Sequence, residues 1–335
     1  VPTILSIENE LSWSWGNAIG QLIDCLPHYE FVRCRRGLFF CENPGCGATL
    51  IFPVGKGLEE HFDILMPQNH DGIRYIEHRE KTVLRIGGLQ MQPNLDPNRY
   101  AEDFRNVGAI IATNEQLASF ARPVNPNTTV IPNGVDLDHF KPRPCFPDRP
   151  DRPFTIGFAG NIDGMGGAYK GWKFFVQAGI DLMVDGVQHK SVLYRHSQIP
   201  HEEMPEKFYH EIDALILPSQ GEGCSNVVTE ALACGVPVII TKVGFHGELL
   251  TDYENVVYIT RDPETASPET TEQICNAVRR LMREPDLYRQ LSQNGRDFAV
   301  EHHDIKKIAA QYDAVIRGVL ARAERTADYG SASSG

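Results

Sequence analysis

Nowhere in the 335-residue chain is there a run of the roughly 20 apolar residues that a membrane-spanning helix requires. The opening Val1-Pro2-Thr3-Ile4-Leu5-Ser6-Ile7 also lacks the basic segment and long apolar stretch of a secretory signal, so neither export by such a signal nor a membrane span is expected. Positive charge is scarce too. Thirty-two Lys and Arg stand against 44 Asp and Glu, a formal charge of −12, which excludes a general attraction to phosphate backbones or anionic lipid. The first 140 residues share the deficit, with 11 basic against 17 acidic side chains, and leave only local basic spots such as Arg33, Arg35 and Arg36. Nucleic acid is therefore a disfavoured partner. The eight cysteines contain no C-x-x-C pair, and Cys34, Cys41 and Cys46 have no fourth ligand nearby, so no metal is expected and the thiols read as reduced, in a cytoplasmic protein. The glycine-rich run Gly164-Met-Gly166-Gly167 puts Tyr169 where the third glycine of a G-x-G-x-x-G dinucleotide fingerprint would fall, which counts against an NAD-dependent oxidoreductase.

What is present is an ordinary globular mixture, 41% hydrophobic and 23% charged, in a chain longer than one core usually organises. Short apolar runs alternate with helical spacing, the pattern of parallel sheets flanked by helices. Strands are expected at 3–7, 62–66, 82–86, 108–112 and 129–131, then at 154–159, 191–194, 213–217, 237–241 and 256–259. Between the two series, residues 141–153 hold five prolines and read as an interdomain linker. Domains are thus expected at 1–140 and 154–301. Apolar positions at Ile305, Ile308, Ala309, Tyr312, Val315, Ile316 and Leu320 follow helical spacing, so a C-terminal helix over 302–325 is expected, packing across to the N-terminal domain.

The most informative stretch is Leu215-Ile-Leu-Pro-Ser-Gln-Gly-Glu222-Gly-Cys-Ser-Asn-Val-Val-Thr-Glu230-Ala-Leu-Ala-Cys-Gly235-Val-Pro237. It reads strand, turn, helix, turn, with the helix starting near Ser225 and stopped by Gly235 and Pro237. Free amides at that start, together with the helix dipole, favour an anion such as a diphosphate. A carboxylate there would repel phosphate, so Glu222 and Glu230 make chemical sense facing sugar and ribose hydroxyls. Equally, Glu222 complements the dipole and Glu230 is a solvated helix residue. Asp136-Leu-Asp138 looks like a metal-binding pair but follows an Asn-Gly turn, and reads as capping or solvated.

This stretch resembles the E-x7-E motif of family-4 glycosyltransferases, retaining enzymes that use nucleotide sugars. Ala109-Ile-Ile-Ala-Thr-Asn, Thr129-Val-Ile-Pro-Asn-Gly134-Val-Asp136 and Phe154-Thr-Ile-Gly-Phe-Ala-Gly160 fall in that family's order, and the similarity spans roughly residues 104–322. The resemblance implies an α/β protein of GT-B fold, two doubly wound Rossmann-like domains facing an interdomain cleft. It implies that Glu230 binds the ribose, that Glu222 holds the transferred sugar, and that Gly223, Cys224, Ser225, Asn226 and Val227 bring amides to the donor. Lys170 matches the basic residue on the diphosphate. Where the family has a second basic residue, this chain has Asn161, with Arg195 as a candidate substitute. Gly16, in Trp13-Ser-Trp-Gly16-Asn-Ala-Ile-Gly20, resembles the first loop of the acceptor domain, or else is a turn and packing glycine. The stretch Thr82 to Gly88 lacks the histidine found there in many members, and His70 is the alternative candidate for a place near the reacting carbon. No cofactor is implied beyond the nucleoside-diphosphate sugar. The acceptor, whether glycan, lipid, protein or small molecule, is left open, and so is a sugar-nucleotide-binding protein without turnover.

Overall fold

Alternating apolar runs and helical segments build two separate units, and the chain passes from the first to the second after Pro132 and returns at Ile305. The computed structural model describes residues 1–8, 14–35, 59–68, 73, 76–87, 97–163, 165–193, 196, 199–261 and 268–332. The candidates His70, Trp13, Gly88 and Arg195 lie outside them.

The first unit contains β1 (Thr3–Glu8), α1 (Ser14–Asp24), β2 (Glu30–Arg35), β3 (Ile64–Pro67), β4 (Val83–Ile86), α2 (Pro97–Phe104), β5 (Ala109–Ala112), α3 (Glu115–Ala121) and β6 (Thr128–Val130). Its strands pair in parallel in the orders β2-β1-β3 and β4-β5-β6, with a parallel bridge from Leu65 to Thr82 between the two sets. Every residue of β3, β4 and β5 is buried, as expected for parallel strands covered on both faces. Gly16 lies within α1.

The second unit, Asn133–Asp304, contains β7 (Thr155–Gly160), α4 (Met165–Lys170), α5 (Trp172–Asp181), β8 (Gln188–Leu193), α6 (Met204–Lys207), β9 (Ala214–Leu217), α7 (Asn226–Ala233), β10 (Val238–Thr241), α8 (Gly244–Leu249), β11 (Val257–Ile259), α9 (Pro268–Arg283) and α10 (Pro285–His302). Its five strands are parallel in the order β11-β10-β9-β7-β8. The chain leaves β7 toward one edge to make β8, then crosses back past β7 to make β9. Such a reversal splays the loops apart at the carboxyl ends of β7 and β9, where doubly wound sheets bind ligands. Both ends carry predicted site residues.

The last helix, α11 (Ile305–Ala332), belongs to the first unit and buries Ile305, Ile308, Ala309, Tyr312, Ile316 and Val319 in a core shared with Ile19, Leu22, Ile64, Val83 and Ile111. Among the described residues no helix is long and apolar enough to cross a membrane.

Residues 141–153, expected as a linker, lie inside the second unit. Their anchor is polar. The buried Arg143 donates to the His210 and Ile212 carbonyls at 3.2 and 2.9 Å, to Asp213 Oδ1 at 3.2 Å and to the Tyr288 hydroxyl at 2.5 Å. Asp213 is fully buried and also accepts from Arg152 at 2.8 Å and from the Thr155 amide at 2.9 Å. A proline-rich composition shows that a segment is extended, but a buried guanidinium with this many acceptors holds it on the core. Asp136 acts as a turn cap, accepting from the Asp138 and His139 amides at 2.9 and 3.3 Å.

Candidate active site

Lys170 is the last residue of α4, and its side chain returns over the end of β7, where its Cγ lies 3.8 Å from the position a Cβ on Gly160 would take. Gly171 follows with φ +77°, and a Cβ there would sit 2.4 Å from the Pro218 carbonyl oxygen. Only glycine lets the segment carrying Lys170 press against the end of β9 in this conformation. Arg261, just after β11, secures the same junction by donating to the carbonyls of Ala168, Tyr169 at 2.8 Å and Pro218 at 2.6 Å.

The turn after β9 brings Glu222 to Lys170. Its Oε1 accepts from Lys170 Nζ at 2.5 Å and from the Ser219 hydroxyl at 2.7 Å, with the lysine and glutamate side chains 24% and 14% exposed. The sequence reading gave these residues separate partners, whereas here they neutralise one another. The Glu222 charge, after burial, pushes the neighbouring Tyr169 hydroxyl up. The turn itself is backed by Gly244, φ +63°, where a Cβ would stand 2.5 Å from the Glu222 carbonyl oxygen. The Phe245 amide bonds the Gly223 carbonyl at 2.8 Å.

Ser225 is the N-cap of α7 in extended conformation, and its side chain makes no capping bond. The first intrahelical bond runs from the Thr229 amide to the Ser225 carbonyl, so the amides of the first turn have no partner within the helix. Asn133 supports the turn, donating to the Cys224 carbonyl at 2.7 Å and to Asn226 Oδ1 at 2.5 Å. The Cys224 side chain is buried. Asn161, after β7, uses its side-chain oxygen locally, accepting from the Asp163 amide at 2.8 Å.

Glu230 is not a solvated helix residue. At 7% exposure its Oε2 accepts from the Tyr209 hydroxyl at 2.6 Å and its Oε1 pairs with His201 Nε2 at 2.9 Å. Burial opposes protonation of His201, but the bond and the charge of Glu230 outweigh it and hold that imidazole's pKa above its ordinary value. Burial, then the same charge, pushes the Tyr209 hydroxyl far up, so it stays a donor. A carboxylate has about four lone-pair positions. The two described bonds leave capacity for a ligand hydroxyl. A separate groove of about 720 Å³ lies between α5 and α9, lined by Lys173, Gln177, Glu272 and Arg279, and touches none of these residues.

Lys170, Gly171, Ser219, the Glu222–Ser225 turn and the start of α7 therefore gather at one end of the sheet, where the loops splay. Residues 190–298 match the model of the family Glycosyl transferases group 1. Over 108 residues the chain is 28% identical to N-acetyl-alpha-D-glucosaminyl L-malate synthase of Bacillus anthracis, covering 32% of this chain and 26% of that one. Over 243 residues it is 25% identical to the lipopolysaccharide core biosynthesis mannosyltransferase LpsB of Rhizobium meliloti, covering 64% and 67%. The Bacillus match thus takes in about a quarter of that relative's length. Among solved structures, sucrose-phosphate synthase from Thermosynechococcus elongatus superposes with a TM-score of 0.71 at 17% identity, covering 96% of this chain and 100% of that one. Anabaena HepE in complex with UDP and glucose gives 0.66 at 15%, covering 95% and 100%. The chain has the GT-B glycosyltransferase fold. Its group 1 segment includes Glu222, the whole of α7 and the two side chains that hold Glu230.

Sequence reasoning missed His201, Tyr209, Ser219, Asn133 and Arg261. Asn133 carried a signal as the first residue of the turn dipeptide Asn133-Gly134, but its partner Cys224 lies 91 residues away. The others are ordinary residue types whose roles arise only from tertiary pairing.

Proposed function

We propose that this chain is a retaining glycosyltransferase that takes a sugar from a nucleoside diphosphate, with the donor held at the carboxyl ends of β7 and β9. The observation that carries the reading is the meeting of Lys170, Glu222 and the start of α7 at the point where the strand order reverses. An anion suits the helix start and the ammonium, while hydroxyls suit the two carboxylates. The HepE structure holding UDP and glucose, and the sugar-transferring relatives, support the same ligand class.

The diphosphate binds the amides after Ser225 and draws on Lys170, and Glu222 faces the sugar. Glu230, held between His201 and Tyr209, accepts from ribose hydroxyls. As the glycosidic bond breaks, negative charge grows on the leaving oxygen, where Lys170 and the amides stabilise it more than in the bound donor. The departing phosphate oxygen takes the acceptor's proton, and the acceptor enters on the same face. The reaction written this way calls for no metal ion. Asn161 leaves Lys170 as the side-chain cation that the motif assigns to the diphosphate.

The test is a thermal-shift series with UDP, GDP and ADP on the parent and on Glu230→Ala, since a ligand of the native state raises the melting temperature. One nucleotide should raise the melting point of the parent and lose most of that effect in the variant. No shift with any of the three overturns the proposal.

A further inference from the structure

Away from the Lys170–Glu222 pair, three side chains able to ligate metal converge inside the second unit. Cys224, His246 and His303 come from the turn before α7, from α8 and from the residue after α10, and are 7%, 2% and 0% exposed. One ligating atom from each lies within 4.8 Å of the other two. Aromatic packing of Phe245 and Phe298 on His303, with centroids 5.2 and 5.6 Å away, accounts for a buried ring. It does not account for the ring's hydrogen bonding. His303 Nδ1 is 2.7 Å from the Asn133 carbonyl oxygen, and since a carbonyl only accepts, the proton must be on Nδ1. That fixes the tautomer and leaves a lone pair on Nε2, which is buried without a partner. An imidazole held by N–H to a backbone carbonyl, with its other nitrogen bare, is arranged as metal-ligating histidines are. Thr229 adds an oxygen donor, 3.3 Å from His246 Nε2 and 4.0 Å from Cys224 Sγ.

We propose that Cys224, His246 and His303 form a binding site for a zinc-class cation. One thiolate and two imidazoles suit zinc rather than magnesium or calcium, which prefer oxygen. With bonds of about 2.3 Å to sulfur and about 2.0–2.1 Å to nitrogen, tetrahedral ligands stand roughly 3.3–3.6 Å apart. The observed spacing closes to this with shifts under about 1 Å per side chain. The Thr229 hydroxyl is placed to complete the shell. Binding exchanges the Cys224 thiol proton for the metal and releases it to solvent. Such an ion would staple the Glu222–Ser225 turn to α8 and to the end of α10, as a structural element outside the transfer chemistry. The inference stands independently of that chemistry.

The experiment uses the full chain, purified without chelator and with any affinity tag removed. Elemental analysis should find close to one zinc per chain. The stripped chain titrated with Co²⁺ should develop a thiolate-to-cobalt charge-transfer band, absent in Cys224→Ser, and zinc should raise its melting temperature. If Cys224→Ser fails to fold, zinc added to the stripped parent in weak buffer should still release a proton. A parent that purifies without zinc and shows neither band, melting shift nor proton release overturns the proposal. So does a Cys224→Ser variant that folds and binds metal as the parent does.

Discussion

Replacing Lys170 by alanine should do two separable things, because the structure pairs this ammonium with Glu222 at 2.5 Å. The first is loss of a cation that stabilises the leaving diphosphate. Removing one preorganised electrostatic contact of this kind costs on the order of 10²–10³ in turnover. The second follows from the pairing. Glu222 is 14% exposed, and without Lys170 it keeps the Ser219 hydroxyl as its described partner. Its charge then faces an incoming diphosphate without neutralisation. Two like charges about 6 Å apart at an effective dielectric near 20 repel by about 3 kcal/mol, and salt and partial exposure reduce this to about 1–2 kcal/mol, roughly tenfold in affinity. Lys170→Ala should therefore weaken binding of the nucleoside diphosphate as well as slow turnover. Lys170→Ala combined with Glu222→Gln should recover the affinity while turnover stays low. The assay is calorimetric titration with the stabilising nucleotide, together with initial rates of donor hydrolysis, which need no identified acceptor. Lys170→Ala binding and turning over like the parent would refute the assignment. A double variant that binds no better than Lys170→Ala would refute the electrostatic account of the pair.

Three further outcomes are expected. His201 is held above its ordinary pKa of 6.5 by Glu230, so its contribution to stability is full below pH 6.5 and is lost as pH rises through the raised value. Melting curves across that window should show this loss in the parent and not in His201→Gln. Gly171→Ala should cost more than about 1–2 kcal/mol, because it places a Cβ both at φ +77° and against the Pro218 carbonyl, and a fall in melting temperature would register it. Arg143→Ala leaves the fully buried Asp213 with Arg152 as its remaining described cation and should cost about 3–5 kcal/mol in urea unfolding.

Most of the ten expected strands were legible as short apolar runs between turn residues, and β9 and β10 fall within a residue of their expected bounds, whereas β8 begins with the polar Gln188-His-Lys-Ser191 and only its apolar end was expected. β2 was not. Its Glu30-Phe-Val-Arg-Cys-Arg35 mixes charged with apolar residues, and at the edge of its sheet Glu30 is exposed and Phe31, Val32 and Arg33 are only partly buried. The start of α7 at Ser225 was legible from local chemistry, since a small polar residue precedes the helical spacing. The environment of Glu230 was not, because His201 and Tyr209 reach it across 29 and 21 residues. The linker reading failed for a related reason. Composition reports what a segment prefers in isolation, and Arg143 finds its acceptors only in the folded unit.

The placement of α11 bears on the order in which the chain becomes structured as it is made. The first unit needs Ile305, Ile308, Tyr312 and Ile316 beside Ile19 and Ile64, yet those residues leave the ribosome only after all of Asn133–Asp304 has been synthesised. At about 5–20 residues per second, the N-terminal strands wait roughly 10–40 s for their covering helix. The second unit, continuous in sequence, has all of its residues synthesised before the first has its last helix. During that interval the apolar faces of β1, β3 and β4 lack the α11 side chains that they pack against in the folded unit.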